Sequence, residues 1–254
     1  MKAFQFNTTP GIRFGSDYSV GTAEEVSKKL GNKILFVTDP GLVKIGLHEK
    51  TITELQKYSE ILIFDNVEAD PSIKTLMNCV KQGRDFEATG VIGFGGGSSM
   101  DVSKLTALLI GSDENIHEAW GVANAKGPRL PLALYPTTSG TGSEVTPISI
   151  ITQEDLEKKG VSSPIILPDL AILDPSLTIG LPPHITAATG IDAMVHAIES
   201  YASKSVNNNL ISQTLAKEAL KLLGSSIRQA VINGKDIEAR SNMLVGSMLA
   251  GVSF

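Results

Sequence analysis

The chain has 254 residues and a mass of 26.9 kDa, enough for one large α/β domain or two modest ones. Its 42% hydrophobic and 19% charged residues make a globular mixture; a net charge of -5 and a pI near 5.4 argue against nucleic acid or an anionic membrane as the main partner, because both reward clustered Lys and Arg. Cys79 is the sole cysteine, which excludes an intrachain disulfide and a multi-thiolate metal site.

The opening stretch "MKAFQFNTTPGIRFG" lacks the apolar run of a secretory signal, and no segment reaches the roughly 18 uninterrupted apolar residues of a membrane span. A soluble, cytoplasmic protein with small-molecule partners is expected. Short apolar runs follow: "KILFVTD" (33–39), "EILIFD" (60–65), "GVIGF" (90–94) and "LPLALYP" (130–136) each read as a buried strand. Amphipathic stretches over 42–58 and 71–87 separate the first three, and Asp70-Pro71 reads as an N-cap with proline at the first helical position. This β-α-β-α-β order predicts a parallel sheet with covering helices.

After Leu181 the texture changes, and 182–203, 207–231 and 235–254 all read as helices. Gly190 interrupts the first of these, marking either a break or a close backbone approach. The expected organisation is an α/β, Rossmann-like nucleotide-binding domain over 1–180 and an all-helical domain over 181–254.

Four stretches carry chemistry. In "VIGFGGGSSMDVSK" (91–104), Gly95, Gly96 and Gly97 lie between a predicted strand and a predicted helix, where free amide groups and the positive helix end bind anions. The competing reading is a tight turn or close helix–strand packing. Asp39 follows the strand "KILFVT", placed either to accept the ribose hydroxyls of an adenosine or to cap a helix. "PTTSGTGSEVT" (136–146) is expected to be a mobile, donor-rich loop after another strand of the same sheet, suited to wrapping phosphates and ribose, the competing reading being an ordinary solvated loop. In "GIDAMVHAIESY" (190–201), Asp192 and His196 are four apart on a predicted helix, so both reach one face, either as metal ligands or as a surface or capping pair. The apolar residues around them predict that this helix is largely buried.

Taken together, "TDPGL", "GGGSSMDVSK", "PTTSGTGSEVT", "LPDLAILDPSLTIGLPP" and "AATGIDAMVHAIESYAS" resemble, in order and spacing, the iron-containing (group III) alcohol dehydrogenases along the whole chain. The resemblance implies an N-terminal nucleotide-binding domain, a C-terminal helical domain and an active site in the cleft between them. By it, Asp39 selects the coenzyme through its ribose, while Gly96, Gly97 and Ser98 cradle the pyrophosphate. Asp101 belongs to the same motif, Thr137, Thr138, Thr141 and Thr146 line the coenzyme, and Lys158, with Lys159 as the alternative match, contacts it. Asp192 and His196 match the first two metal ligands. The implied chemistry is NAD-dependent: a divalent metal, Fe2+ or Zn2+, binds the oxygen of a small primary alcohol, and hydride passes between carbon and nicotinamide. A homo-oligomer acting on a small alcohol or aldehyde, without nucleic acid or membrane, is the expected assembly.

The family takes two further histidine ligands from positions beyond Phe254, and His48, His117 and His184 match neither; they are expected to face solvent or to cap helices. An incomplete metal site, weak metal binding and an uncovered apolar face formed by Met243, Leu244, Met248, Leu249 and Val252 are therefore expected of a shortened chain. The alternative to an active dehydrogenase is a catalytically inactive nucleotide-binding remnant or interaction module. A sugar-phosphate lyase on the same architecture fits "TSGTGSEVT" and "DAMVHAIESY" less closely.

Overall fold

The computed structural model describes residues 3–205 and 208–254. In chain order its strands are β1 (Gly11–Phe14), β2 (Lys33–Val37), β3 (Glu60–Phe64), β4 (Gly90–Gly95), β5 (Gly121–Val122), β6 (Leu132–Pro136), β7 (Ile148–Thr152), β8 (Lys158–Ser162) and β9 (Leu170–Leu173). The helices are α1 (Tyr18–Gly21), α2 (Ala23–Leu30), α3 (Pro40–Lys44), α4 (Glu49–Leu55), α5 (Ile73–Asp85), α6 (Gly97–Ser112), α7 (Ile116–Ala119), α8 (Pro183–Ala202), α9 (Leu210–Ile232) and α10 (Ile237–Ser253).

Six strands form one sheet in the order β1-β9-β6-β4-β2-β3, with every neighbouring pair parallel. Side chains alternate across it as a strand period of two requires. Leu35, Val37, Val91, Leu132 and Leu134 pack on one face with Leu76, Val80, Val102 and Leu105 from α5 and α6. Ile34, Phe36, Ile92, Phe94, Ala133 and Tyr135 pack on the other with Val26, Leu30, Ile52 and Leu55 from α2 and α4. Burial on both faces is why these strands read as continuous apolar runs rather than as alternation.

The four predicted strands form as expected, within a residue or two of their ends. The predicted helix over 42–58 is instead two helices, because the chain turns at Gly46, whose φ of 69° lies in the left-handed region. The start of α5 also differs: Ser72 is its N-cap, accepting from the Thr75 amide at 3.2 Å, while Asp70 takes a positive φ of 52° in the preceding turn. A second, three-stranded sheet in the order β5-β8-β7 was not expected, since its strands are short and partly exposed and carry no unbroken apolar run.

Beyond the last sheet residues, α8, α9 and α10 pack into a bundle around Ala193, Ala197, Ala216, Leu223 and Met243. Helix α8 runs unbroken through Gly190, where an added Cβ would lie 2.6 Å from Met243 Cε and 2.9 Å from Ile227 Cδ1, so this glycine marks a close approach. The predicted helix from Asn207 begins at Leu210, capped by Asn209; Asn207 itself lies outside the described residues. The buried Arg240 of α10 donates to Thr186 Oγ1 at 2.8 Å and to the Leu181 carbonyl at 3.1 Å, tying the start of α8 to the bundle. Met243 and Leu244 are buried and Met248, Leu249 and Val252 partly so, which corrects the expected apolar face. Exposed apolar residues of the bundle include Ile191, Val195 and Ile198 on α8, Leu210, Ile211 and Ile232 on α9, Ile237 on α10, and Phe254. Among the described residues no helix is long and apolar enough to cross a membrane.

Candidate functional site

Parallel strands deliver their carboxyl ends to one edge of the sheet, and a cavity of about 780 Å³ opens there. Asp39 from the end of β2, Gly96, Gly97 and Ser98 from the turn after β4, and Thr137, Thr138 and Thr141 from the loop after β6 line its polar side. Leu42, Ile45, Leu47, Leu177, Leu181 and Ile185 line an apolar side that sequence patterning alone does not single out. Leu181 and Ile185 stand at the start of α8, so the cavity lies between the sheet edge and the first turns of the helical bundle.

The glycines do two jobs. A Cβ at Gly95 would lie 2.7 Å from Ser99 Oγ and one at Gly97 2.8 Å from Thr141 Cγ2, so both serve close packing. At Gly96 the nearest contact would be an ordinary 3.6 Å to Thr138. Gly96 caps the 16-residue α6 without a side chain, leaving the first amides of the helix to a ligand. Backbone donors, a helix dipole and threonine hydroxyls thus converge on one concavity, the environment a dinucleotide pyrophosphate requires. Asp39 caps α3, its Oδ1 accepting from the Gly41 and Leu42 amides at 2.9 and 3.0 Å, and its carboxylate also lines the cavity.

The loop over 137–146 is packed, contrary to the mobile loop expected. Thr137, Ser139, Ser143, Glu144 and Thr146 are buried, and the Thr137 amide bonds the Gly95 carbonyl at 2.9 Å. Beneath it the fully buried Lys104 donates to Ser143 Oγ at 2.8 Å, Thr146 Oγ1 at 3.3 Å and the Ile148 carbonyl at 2.7 Å. Burial pushes the Lys104 ammonium down to about 8 against the pull of Asp101 and Glu144. Burial likewise pushes the Glu144 carboxyl up to about 7. Asp101 accepts from Ser143 Oγ at 2.6 Å and from the Ile150 amide at 2.9 Å. Asp101 and Thr146 therefore stand behind the cavity wall rather than in it. Lys158 also lies outside the lining: it is exposed on β8 and pairs with Asp70 at 2.6 Å, on the turn whose neighbour Ala69 does line the cavity. Lys159 is exposed as well.

Asp192 and His196 sit on α8 with Oδ1 and Nε2 3.8 Å apart. They continue the helical stripe of Ile185 and Thr189, both cavity residues, and lie about 5 and 10 Å beyond Thr189 along the axis. Their spacing suits two donors on one divalent cation. Contrary to the buried helix expected, only one face of α8 is covered, and the Asp192 side chain is 48% exposed. The His196 ring packs against Phe254 with centroids 5.2 Å apart. Among the described residues no group of three or more His, Cys, Asp or Glu could hold a metal, so this pair could supply two corners of a coordination sphere at most. His117 and His184 are exposed, as expected, whereas His48 is buried at the start of α4.

The family model described as Iron-containing alcohol dehydrogenase matches residues 9–175, and that of the Fe-containing alcohol dehydrogenase family, C-terminal, matches residues 186–254. The chain is 40% identical over 255 residues to the sulfoacetaldehyde reductase of Bilophila wadsworthia, covering 99% of this chain and 65% of that protein. It is 44% identical over 232 residues to long-chain-alcohol dehydrogenase 1 of Geobacillus thermodenitrificans, covering 89% of this chain and 58% of the relative. It therefore spans less than two thirds of the length of either. The crystal structure of a sulfoacetaldehyde reductase from Bifidobacterium kashiwanohense in complex with NAD+ superposes with a TM-score of 0.91 at 32% identity, over 99% of this chain and 67% of that one.

Proposed function

The chain belongs to the iron-containing alcohol dehydrogenase family, and from that premise we propose that it binds NAD(H) in the cavity at the sheet edge and serves the interconversion of a small primary alcohol and its aldehyde. The observation that carries the reading is the convergence of Asp39, the uncapped start of α6 and three threonines on one cavity. Asp39 would bond the free ribose hydroxyls and repel a 2′-phosphate, giving NAD(H) preference over NADP(H). The amides after Gly96 would hold the pyrophosphate, with Thr138 and Thr141 closing over it, while Ile45, Leu47 and Leu177 offer apolar contact to a ring. Lys158 would act at the rim, through Asp70, rather than from the cavity floor.

Asp192 and His196 would hold a divalent cation, Fe2+ or Zn2+, on the stripe of α8 that leads out of the cavity. When bound, the metal supplies Lewis acidity toward the alcohol or carbonyl oxygen, and the nicotinamide supplies the hydride chemistry. We place the division between the coenzyme-binding part and the metal-bearing helices at residues 180–183, where the cavity wall passes into α8. A second reading, coenzyme binding without turnover, is favoured by one observation: a catalytic metal normally takes at least three protein ligands, and the described residues bring together two.

The test is coenzyme selection. Titration of the chain should show NADH bound at least ten-fold more tightly than NADPH, and Asp39→Gly should narrow or reverse that ratio. Equal affinities in the unmodified chain would count against the assignment.

A further inference from the structure

Lys104 stands one layer behind the cavity, fully buried, yet it makes three hydrogen bonds into the segment that closes the cavity. Burying an ammonium is costly unless every proton finds a partner, and here all three do. The Ser143 hydroxyl is specified at both ends, accepting from Lys104 and donating to Asp101. Lys104 and Asp101 lie on α6, whose first residues form the glycine turn, while Ser143 and Thr146 lie on the loop that carries Thr138 and Thr141. Thr141 belongs to the same bonded unit, because its Oγ1 accepts from the Ser143 amide at 3.2 Å. The distance between the glycine turn and the threonine loop is thus set from behind.

We propose that Lys104 is a positioning residue for the pyrophosphate half of the coenzyme site: through Ser143 and Thr146 it holds the loop over 137–146 at a fixed height above Gly96 and Gly97. It touches no ligand. The inference rests on the reading of the cavity as a dinucleotide site, and it predicts an asymmetry a general structural role would not produce. Asp39, at the adenosine end, is held independently by its bonds to Gly41 and Leu42. Loss of Lys104 should therefore weaken contacts to phosphate and spare those to adenosine.

The experiment compares the chain with Lys104→Met, which keeps the length and apolar character of the stem but removes the ammonium, and with Ser143→Ala. Dissociation constants for ADP-ribose and adenosine are measured together with amide hydrogen exchange of residues 137–146 in the ligand-free protein. In Lys104→Met the ADP-ribose constant should rise at least ten-fold while that for adenosine changes less than two-fold, and loop amides should exchange at least ten-fold faster. Ser143→Ala should move both readouts the same way by at least three-fold, and it decides the matter if Lys104→Met does not fold. An unchanged ADP-ribose constant, an equal loss for both ligands, or unchanged loop exchange in a folded variant would overturn the proposal. The exchange arm is independent of any ligand: if the parent binds neither probe, the coenzyme reading falls, whereas unaltered exchange refutes the role of Lys104 in holding the loop.

Discussion

At the scale of single residues, the charges that matter most to stability are the hidden ones. Glu144 is 2% exposed, and its Oε1 has no hydrogen-bond partner among the described residues, so the folded chain favours the neutral acid and holds the carboxyl up at about 7. A group raised in the folded state contributes stability that is complete below its unfolded value, near 4.5, and is lost as pH rises through about 7. Glu144→Gln should remove that dependence. Relative to the parent, the variant should gain on the order of 3 kcal/mol between about pH 4.5 and pH 8. Urea midpoints at those two pH values measure the gap directly, and a gap that does not change with pH would refute the buried-acid description. Lys104 runs in the opposite sense: lowered in the fold from 10.5 to about 8, it costs stability that accrues as pH falls between those two values, partly repaid by Asp101 and Glu144.

At the scale of elements, the threonine loop is clamped from two sides. Helix α6 holds it through Lys104 and Asp101, and α10 holds it by backbone contact. Gly142 has a φ of 61°, and a Cβ there would lie 2.7 Å from Gly251 Cα and 3.2 Å from the Ser247 carbonyl, both backbone atoms that cannot swing away. Gly142→Ala should destabilise the chain by about 2–4 kcal/mol, combining left-handed strain with overpacking. Gly251→Ala, which meets the same contact from an ordinary helical conformation, should cost less. Denaturant midpoints of the two variants test the order, and a Gly142→Ala midpoint equal to the parent's would show that the clamp is slack. Gly97 of "GGGSS" and Gly142 of "TSGTGSE" are hard to interpret from sequence for this reason: they are there for what approaches them, and what approaches them is more than 40 positions away along the chain.

At the scale of the whole molecule, the residues proposed for coenzyme and for metal lie on different parts of the fold. Asp39, the glycine turn and the threonine loop follow strands of the six-stranded sheet, whereas Asp192 and His196 lie on α8, outside the cavity lining. An Asp192→Ala, His196→Ala double variant should bind NADH within about three-fold of the parent and lose whatever Fe2+ or Zn2+ the parent retains. Titration of the coenzyme and elemental analysis of the purified proteins check the two halves separately. Loss of NADH binding in a folded double variant would show that the two functions are not separable at residues 180–183.

The sequence by itself determined the parallel sheet, the helical region after it, the placing of Asp39 and the glycine turn at strand ends, and the shared face of Asp192 and His196. These follow from local rules: apolar runs mark strands buried on both faces, a glycine turn between strand and helix exposes amides, and a spacing of four aligns side chains on a helix. The tertiary structure alone decided which of the motif residues reach the cavity. Asp101 and Thr146 sit in the same motifs as lining residues and Lys158 matches a coenzyme-contacting position, yet they face inward or toward Asp70, because their orientation depends on partners 42 to 88 positions away along the chain. It alone paired the short strands β5, β7 and β8, and it alone exposed Ile191, Val195 and Ile198 on α8 while covering Met243 and Leu244. A periodic pattern states which residues share a face; only the packed neighbour states whether that face is covered.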